Sequence, residues 1–70
     1  MNHNEIKEKL KAFILNELEI AQANNSTFED KLYARNRAFG ALQFVNNEVL
    51  SYDIELGEWW NDEIRPKFLE

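Results

Sequence analysis

The absence of cysteine is the feature that most restricts how this chain of 70 residues can fold. A domain of this size buries only about 60% of the surface that its unfolded chain exposes, so its hydrophobic core is small. With no disulfide and a single histidine, His3, neither a cross-link nor a zinc site of Cys and His ligands can hold it together. We therefore expect well-packed helices, helped by self-association, and no cofactor.

The spacing of apolar residues predicts an all-α fold that begins with a long amphipathic helix. Apolar side chains recur at intervals of three and four over residues 4–23, with Asn4 as the expected N-cap. The apolar face of this helix consists of Ile6, Leu10, Phe13, Ile14, Leu18 and Ala21. No Asn-Gly or Asp-Gly pair, the strongest short signal of a β-hairpin, occurs in the chain.

A capping box predicts where the second helix begins. Ser26 and Glu29 have the Ser-x-x-Glu spacing, in which the hydroxyl and the carboxylate each satisfy a free backbone N–H. The helix is expected over residues 27–49. Its predicted apolar face consists of Phe28, Leu32, Phe39, Leu42, Val49 and Leu50, with Ala38 and Val45 at the edge.

A third, shorter helix is predicted over residues 53–65, capped by Ser51 or Asp53 and ended by the only proline. Residues 66–70 then form a tail. Because the break between the first two helices is short, these helices should pack antiparallel, with the third laid across them. The whole chain is expected to be one domain, an antiparallel helical hairpin plus a shorter third helix, which makes a small three-helix bundle.

Two charged residues fall on the predicted apolar faces, Glu17 on the first helix and Arg35 on the second. Antiparallel folding brings their neighbourhoods together, within reach of a long arginine side chain. We predict a partly buried Glu17–Arg35 ion pair. Its expected role is to set the register of the hairpin rather than to carry out chemistry.

The chain has more aromatic residues than one hairpin face can bury. Tyr33, Arg37, Gly40 and Phe44 form a second stripe on the second helix, and we expect Trp60 to cover it, with Gly40 allowing a close approach. The candidate interface residues are Leu15, Tyr33, Arg37, Phe44, Trp59, Trp60 and Phe68. The alternative is that these side chains only complete a small core.

Acidic residues outnumber basic ones by 13 to 8, for a net charge of −5. Most of this charge lies in residues 53–70, which carry six acids and two bases. The candidate acidic surface consists of Glu55, Glu58, Asp62 and Glu63, and its alternative is an ordinary solvated face. Because the chain is negative, it is not expected to bind nucleic acid directly. It is not expected to enter a membrane either, since its longest apolar run has four residues.

No group of residues has the arrangement that catalysis needs. His3 lies near the terminus, Ser26 has no nearby histidine, and both glycines stand alone, so no catalytic, cofactor-binding or metal-binding residue is predicted. The sequence favours a small cytoplasmic, non-enzymatic protein that acts through protein contacts, as a homodimer, of the accessory or regulatory kind that bacteria and mobile elements encode. The alternative is an acidic inhibitor that mimics nucleic acid and blocks a nucleic-acid-binding protein.

Overall fold

Three α-helices and no strand make up the structure, a computed structural model that describes residues 1–70. The helical segments in chain order are α1 (His3–Gln22), α2 (Phe28–Phe44) with a π-helical turn (Val45–Val49), and α3 (Ile54–Trp59) with a second π-helical turn (Trp60–Ile64) and a 3-10 turn (Arg65–Lys67). We call residues 54–67 the third segment. The prediction of a small all-α helical bundle is confirmed, and α1 packs along α2.

Short polar side chains fix the starts of the first two helices. Asn2 caps α1, two residues before the predicted Asn4, because the helix continues one half-turn further towards the terminus. At α2 the Thr27 hydroxyl accepts a hydrogen bond from the backbone N–H of Asp30 at 3.1 Å, and the Asp30 carboxylate accepts one from the backbone N–H of Thr27 at 3.0 Å. This is a capping box one residue after the predicted Ser26.

Small side chains hold α1 and α2 together. Ala34 and Ala38 are fully buried against α1, whereas Phe28 is 64% exposed and Phe39 is half-exposed. The predicted inner face of α2 was therefore right at Leu42 and Leu50 but wrong at Phe28, Phe39 and Val49, which are exposed. Short side chains at a helix contact allow a close approach of the two axes, and a large ring does not fit there. The buried apolar residues are Leu10, Ile14, Leu18, Ala21, Ala34, Ala38, Leu42, Leu50, Leu56, Trp60, Ile64 and Phe68.

The two large buried rings are Trp60, in the third segment, and Phe68, directly after it. The Trp60 ring is stacked on Phe39, with 6.0 Å between the ring centroids, and lies 5.7 Å from the Phe68 ring. Because Trp60 is 2% exposed and Phe68 is fully buried, both belong to the core and their assignment to an interface was wrong. Nothing lies within 4 Å of the position that a Cβ on Gly40 would take, so Trp60 does not cover that stripe.

A left-handed corner joins α2 to α3. Ser51 and Tyr52 have φ angles of 55° and 65°, a conformation that costs roughly 1–2 kcal/mol per residue for side chains other than glycine. The backbone N–H of Tyr52 donates to the carbonyl oxygen of Asn46 at 2.7 Å. The Tyr52 hydroxyl packs on α3 over Gly57, 3.4 Å from the position of an added Cβ. These contacts offset the strain of the corner.

A polar cluster connects this corner to the start of α1. The buried Asn46 side chain accepts a hydrogen bond from the Asp53 backbone N–H at 2.7 Å and donates one to the Asp53 carbonyl at 3.3 Å. The Asp53 carboxylate caps α3 by accepting a hydrogen bond from the backbone N–H of Leu56. It also lies 2.8 Å from Nε2 of His3 and 3.2 Å from Nζ of Lys7. The hydrogen bond with His3, then those with Leu56 and Lys7, hold the pKa of the Asp53 carboxyl well below its usual range.

The Asp53→Asn variant separates the ionic contacts from the cap, because asparagine also caps helices well. We expect its Tm at pH 7 to fall by about 2–5 °C through loss of the ion pair with Lys7 and weakening of the hydrogen bond with His3. A lowered pKa in the folded state stabilises the wild type above about pH 4, and this contribution is lost as the pH falls further. Thermal melts at pH 7 and pH 2.5 should therefore differ less for the variant, and an unchanged difference contradicts this role of Asp53.

Candidate interaction surface

The third segment covers only one side of the α1–α2 hairpin. It reaches α1 through Trp59, whose ring centroid lies 5.2 Å from Nζ of Lys11, and α2 through the stack of Trp60 on Phe39. Two depressions lie on the opposite side of the hairpin, and no residue of the third segment lines either of them. We call this side the open face, and its side chains are Met1, Ile6, Phe13 and Ile20 from the α1 side and Tyr33, Arg37, Ala41 and Phe44 from α2.

Two depressions of about 300 Å³ each lie at the ends of the open face. The N-terminal depression is almost entirely apolar and is lined by Met1, Ile6, Lys9, Leu10, Phe13, Ala41 and Val45. The loop depression is more polar and is lined by Ile20, Ala23, Asn25, Ser26, Asp30, Tyr33 and Arg37. Lys9 therefore lies at one end of the face, and Asp30 lies with Arg37 at the other.

A partly buried ion pair lies at the edge of the loop depression. Nε of Arg37 donates to both carboxylate oxygens of Glu17, at 2.7 and 3.0 Å. The Glu17 side chain is 6% exposed, while that of Arg37 is 52% exposed. The hydrogen bond with Glu17 raises the pKa of the Arg37 guanidinium above its usual value. The guanidinium therefore keeps its charge, and the pair has its acid inside and its base at the surface.

The prediction that Glu17 is buried in an ion pair was correct, but its partner is Arg37 and not Arg35. The error follows from the inner face chosen for α2. With Ala34 and Ala38 turned inwards, Arg37 comes to the edge of the hairpin beside Glu17. Arg35 lies two residues away, about 200° around the helix, and faces the third segment instead.

The remaining predicted interface residues do not share one surface. Tyr33, Arg37 and Phe44 lie on the open face, where Tyr33 is 61% exposed. Leu15 is exposed on another side of α1, and Trp59 is partly buried over Lys11. The structure therefore brings together only the part of the predicted interface that comes from α2.

Sequence reasoning missed the half of the open face that α1 provides. Phe13 was assigned to the buried stripe, yet it is 44% exposed. The available signal is the spacing of exactly seven residues from Ile6 to Phe13 and from Phe13 to Ile20. A repeat of seven places side chains in one row along a helix, and here that row runs beside the buried one.

The predicted acidic residues surround a separate depression of about 360 Å³ on the third segment. It is lined by Lys11, Glu55, Glu58, Trp59, Asp62 and Glu63. The structure therefore brings the four predicted carboxylates to one surface, next to α1. No group of three or more carboxylates and histidines has the geometry to hold a metal ion.

No protein-family model, curated protein or solved structure matches this chain. None of its helices combines the length and the apolar character needed to cross a membrane.

The Arg37→Gln variant tests the central ion pair, because it leaves the Glu17 carboxylate buried without a partner. We expect it to lower the free energy of unfolding by more than Glu17→Gln does, and Glu17→Gln to cost about 1–3 kcal/mol. The asymmetry arises because the exposed guanidinium can turn to water and the buried carboxylate cannot. Urea denaturation measures both changes. Arg35→Gln is the matched control, and a larger loss for that variant contradicts the assignment of the pair.

Proposed function

We propose that this protein is a small non-enzymatic helical protein that acts through protein contacts, and that its partner on the open face is a second copy of the chain. The observation that carries the proposal is the set of exposed aromatic side chains on that face. Phe13, Tyr33 and Phe44 are each more than two-fifths exposed there. Exposed apolar surface of this kind on a small protein typically marks an interaction site.

The charges at the two ends of the open face favour a second copy over an unrelated partner. Lys9 borders the N-terminal depression and Asp30 borders the loop depression. Hydrogen bonds from Thr27 keep the pKa of Asp30 below its usual value, so this carboxylate is charged at neutral pH. A two-fold axis across the middle of the face places Lys9 of each copy near Asp30 of the other, as an isologous interface requires.

The apolar side chains fit the same arrangement. In such an antiparallel arrangement, the Tyr33 ring of one copy would meet the N-terminal depression of the other. The chain is elongated, with extents of 37 × 21 × 16 Å, so two hairpins can meet along their length. A standard interface covers about 800 Å² per partner, roughly a sixth of the 4739 Å² that each copy exposes.

The Glu17–Arg37 pair suits the centre of this interface. Docking would remove the remaining water from Arg37, whose charge is already balanced by the Glu17 carboxylate at 2.7 Å. A buried pair adds little net stability but penalises alternative alignments, because any shift leaves a charge without its partner. The pair would therefore set the alignment of the two copies.

Substitutions on the open face test this proposal. We expect sedimentation equilibrium to show a dimer for the wild type, and Phe13→Asp and Tyr33→Asp each to raise the dissociation constant at least about tenfold. Both positions are exposed in the isolated chain, so the variants should remain folded by circular dichroism. Ile54→Asp is the control, since Ile54 is 66% exposed but lies at the start of α3. A wild type that stays monomeric at millimolar concentration contradicts the homodimer.

The acidic depression supports a second candidate, an inhibitor that mimics nucleic acid. Glu55, Glu58 and Asp62 lie around one surface, where they could occupy the basic groove of a nucleic-acid-binding protein. Inhibition of a panel of purified nucleases and DNA-binding proteins tests this function. We expect inhibition to weaken with salt and to fall at least about tenfold in the triple variant Glu55→Gln, Glu58→Gln, Asp62→Asn.

The matched control for the mimic neutralises three carboxylates elsewhere, Glu8→Gln, Glu19→Gln and Glu29→Gln. All three are exposed and lie outside the acidic depression. Equal loss of inhibition in the two triple variants, or inhibition that is insensitive to salt, contradicts the mimic.

A further inference from the structure

A cavity of about 400 Å³ lies between α2 and the third segment, apart from both the open face and the acidic depression. It is lined by Arg35, Asn36, Phe39, Trp60, Asn61 and Arg65. We propose that this cavity binds a small organic anion, with its phosphate or carboxylate group held by Arg35 and Arg65 and its hydrocarbon part on Phe39. The inference does not depend on the proposed dimer, because the cavity and the open face share no residue.

The charge of the cavity is the first reason for this assignment. Both of its ionisable residues are arginines, in a chain with 13 acids and 8 bases. Neither Arg35 nor Arg65 takes part in any of the ion pairs of the structure, which use His3, Lys7 and Arg37. Two guanidinium groups at one cavity attract an anion, and their planar arrays of N–H donors match the oxygens of a phosphate or carboxylate.

Further hydrogen-bond donors line the same cavity. The carboxamides of Asn36 and Asn61 can each donate to an anion oxygen. Trp60 is 2% exposed, and its indole Nε1 is buried with no acceptor among the atoms of the chain. Because this nitrogen is not accessible from the cavity, we expect the ligand to contact the Trp60 ring and not to accept a hydrogen bond from the indole N–H.

An apolar surface completes the site and indicates that the ligand is organic. Phe39 is 43% exposed although it is stacked on the buried Trp60. Its ring therefore offers a flat hydrocarbon surface beside the two arginines. Sites for small molecules usually combine such a surface with a few polar groups, and they have volumes of about 300–1000 Å³.

The local backbone explains how these residues meet. Arg35, Asn36 and Phe39 lie within about one turn of α2. On the other wall, Trp60 and Asn61 begin the π-helical turn Trp60–Ile64, and Arg65 follows it directly. Wide turns of this type occur frequently at functional sites, because they re-aim side chains that a regular helix would place elsewhere.

The acidic residues of the third segment and its Arg65 lie on different sides of the segment. Glu55, Glu58 and Asp62 line the depression that borders Lys11 of α1, while Arg65 lines the cavity that borders Arg35 of α2. The carboxylates are therefore kept away from the cavity. An anion entering it meets no acidic side chain among the lining residues.

Nuclear magnetic resonance titration tests the site with phenyl phosphate, benzoate, inorganic phosphate and neutral phenol as probes. The two tryptophans give two indole N–H resonances, assigned with a Trp59→Phe variant. We expect phenyl phosphate or benzoate to shift the Trp60 resonance saturably in the millimolar range or below, while that of Trp59 stays in place. The anion that binds more tightly identifies phosphate or carboxylate as the natural group, and weaker binding of inorganic phosphate supports the role of Phe39.

Variants of the arginines make the test specific. Arg65 is exposed, so Arg65→Gln should fold normally, and we expect it to weaken binding at least about tenfold. Arg35→Gln should do the same. Lys67→Gln is the control, because it removes the same charge two residues away, outside the cavity. The proposal is overturned if no anion shifts Trp60 saturably, if phenol binds equally well, or if Lys67→Gln weakens binding as much as Arg65→Gln.

The same titration on Tyr33→Asp separates this inference from the proposed dimer. Binding that persists in this variant, whatever its oligomeric state, supports a site within one copy of the chain. Binding that disappears when the open face is altered contradicts it.

Discussion

The close contact of α1 and α2 over buried alanines is the constraint on which the rest of the structure depends. Ala21, Ala34 and Ala38 are all fully buried at this contact. These alanines are buried in one cluster with the larger Leu10, Ile14 and Leu18 of α1, while the aromatic rings of α2 lie outside it. Trp60 of the third segment and Phe68, the residue that follows it, cover one side of the hairpin. No part of the chain covers the other.

This division explains why so short a chain has both a buried aromatic cluster and an exposed one. A single layer of helices can be covered on only one face by a segment of 14 residues, 54–67. The Glu17–Arg37 pair marks the boundary, with its carboxylate inside the hairpin and its guanidinium at the open face. A second copy of the chain would give that face the cover that the first face already has, and so would enlarge a core that one copy cannot extend.

Much of the fold was predictable from the sequence, because helix bounds depend on local patterns. The buried positions Leu10, Ile14, Leu18 and Ala21 of α1 and the end of the helical run at Val49 follow from spacing, whereas Phe13 does not. The inner face of α2 could not be predicted in the same way. Its phenylalanines are more hydrophobic than its alanines, yet the alanines are the residues buried against α1. Arg37 was then missed as the partner of Glu17. The Arg35 and Arg65 cavity joins two distant segments, which no local pattern reveals.

We propose that the open face meets the same face of a second copy, with opposite ends together. Isotope-filtered nuclear Overhauser spectra of a sample that mixes labelled and unlabelled chains test it most directly, because they report only contacts between copies. We predict contacts from the Tyr33 ring of one copy to the side chains of Met1, Ile6 or Phe13 of the other. The absence of any contact between copies at millimolar concentration, or contacts confined to the third segment, would contradict the account.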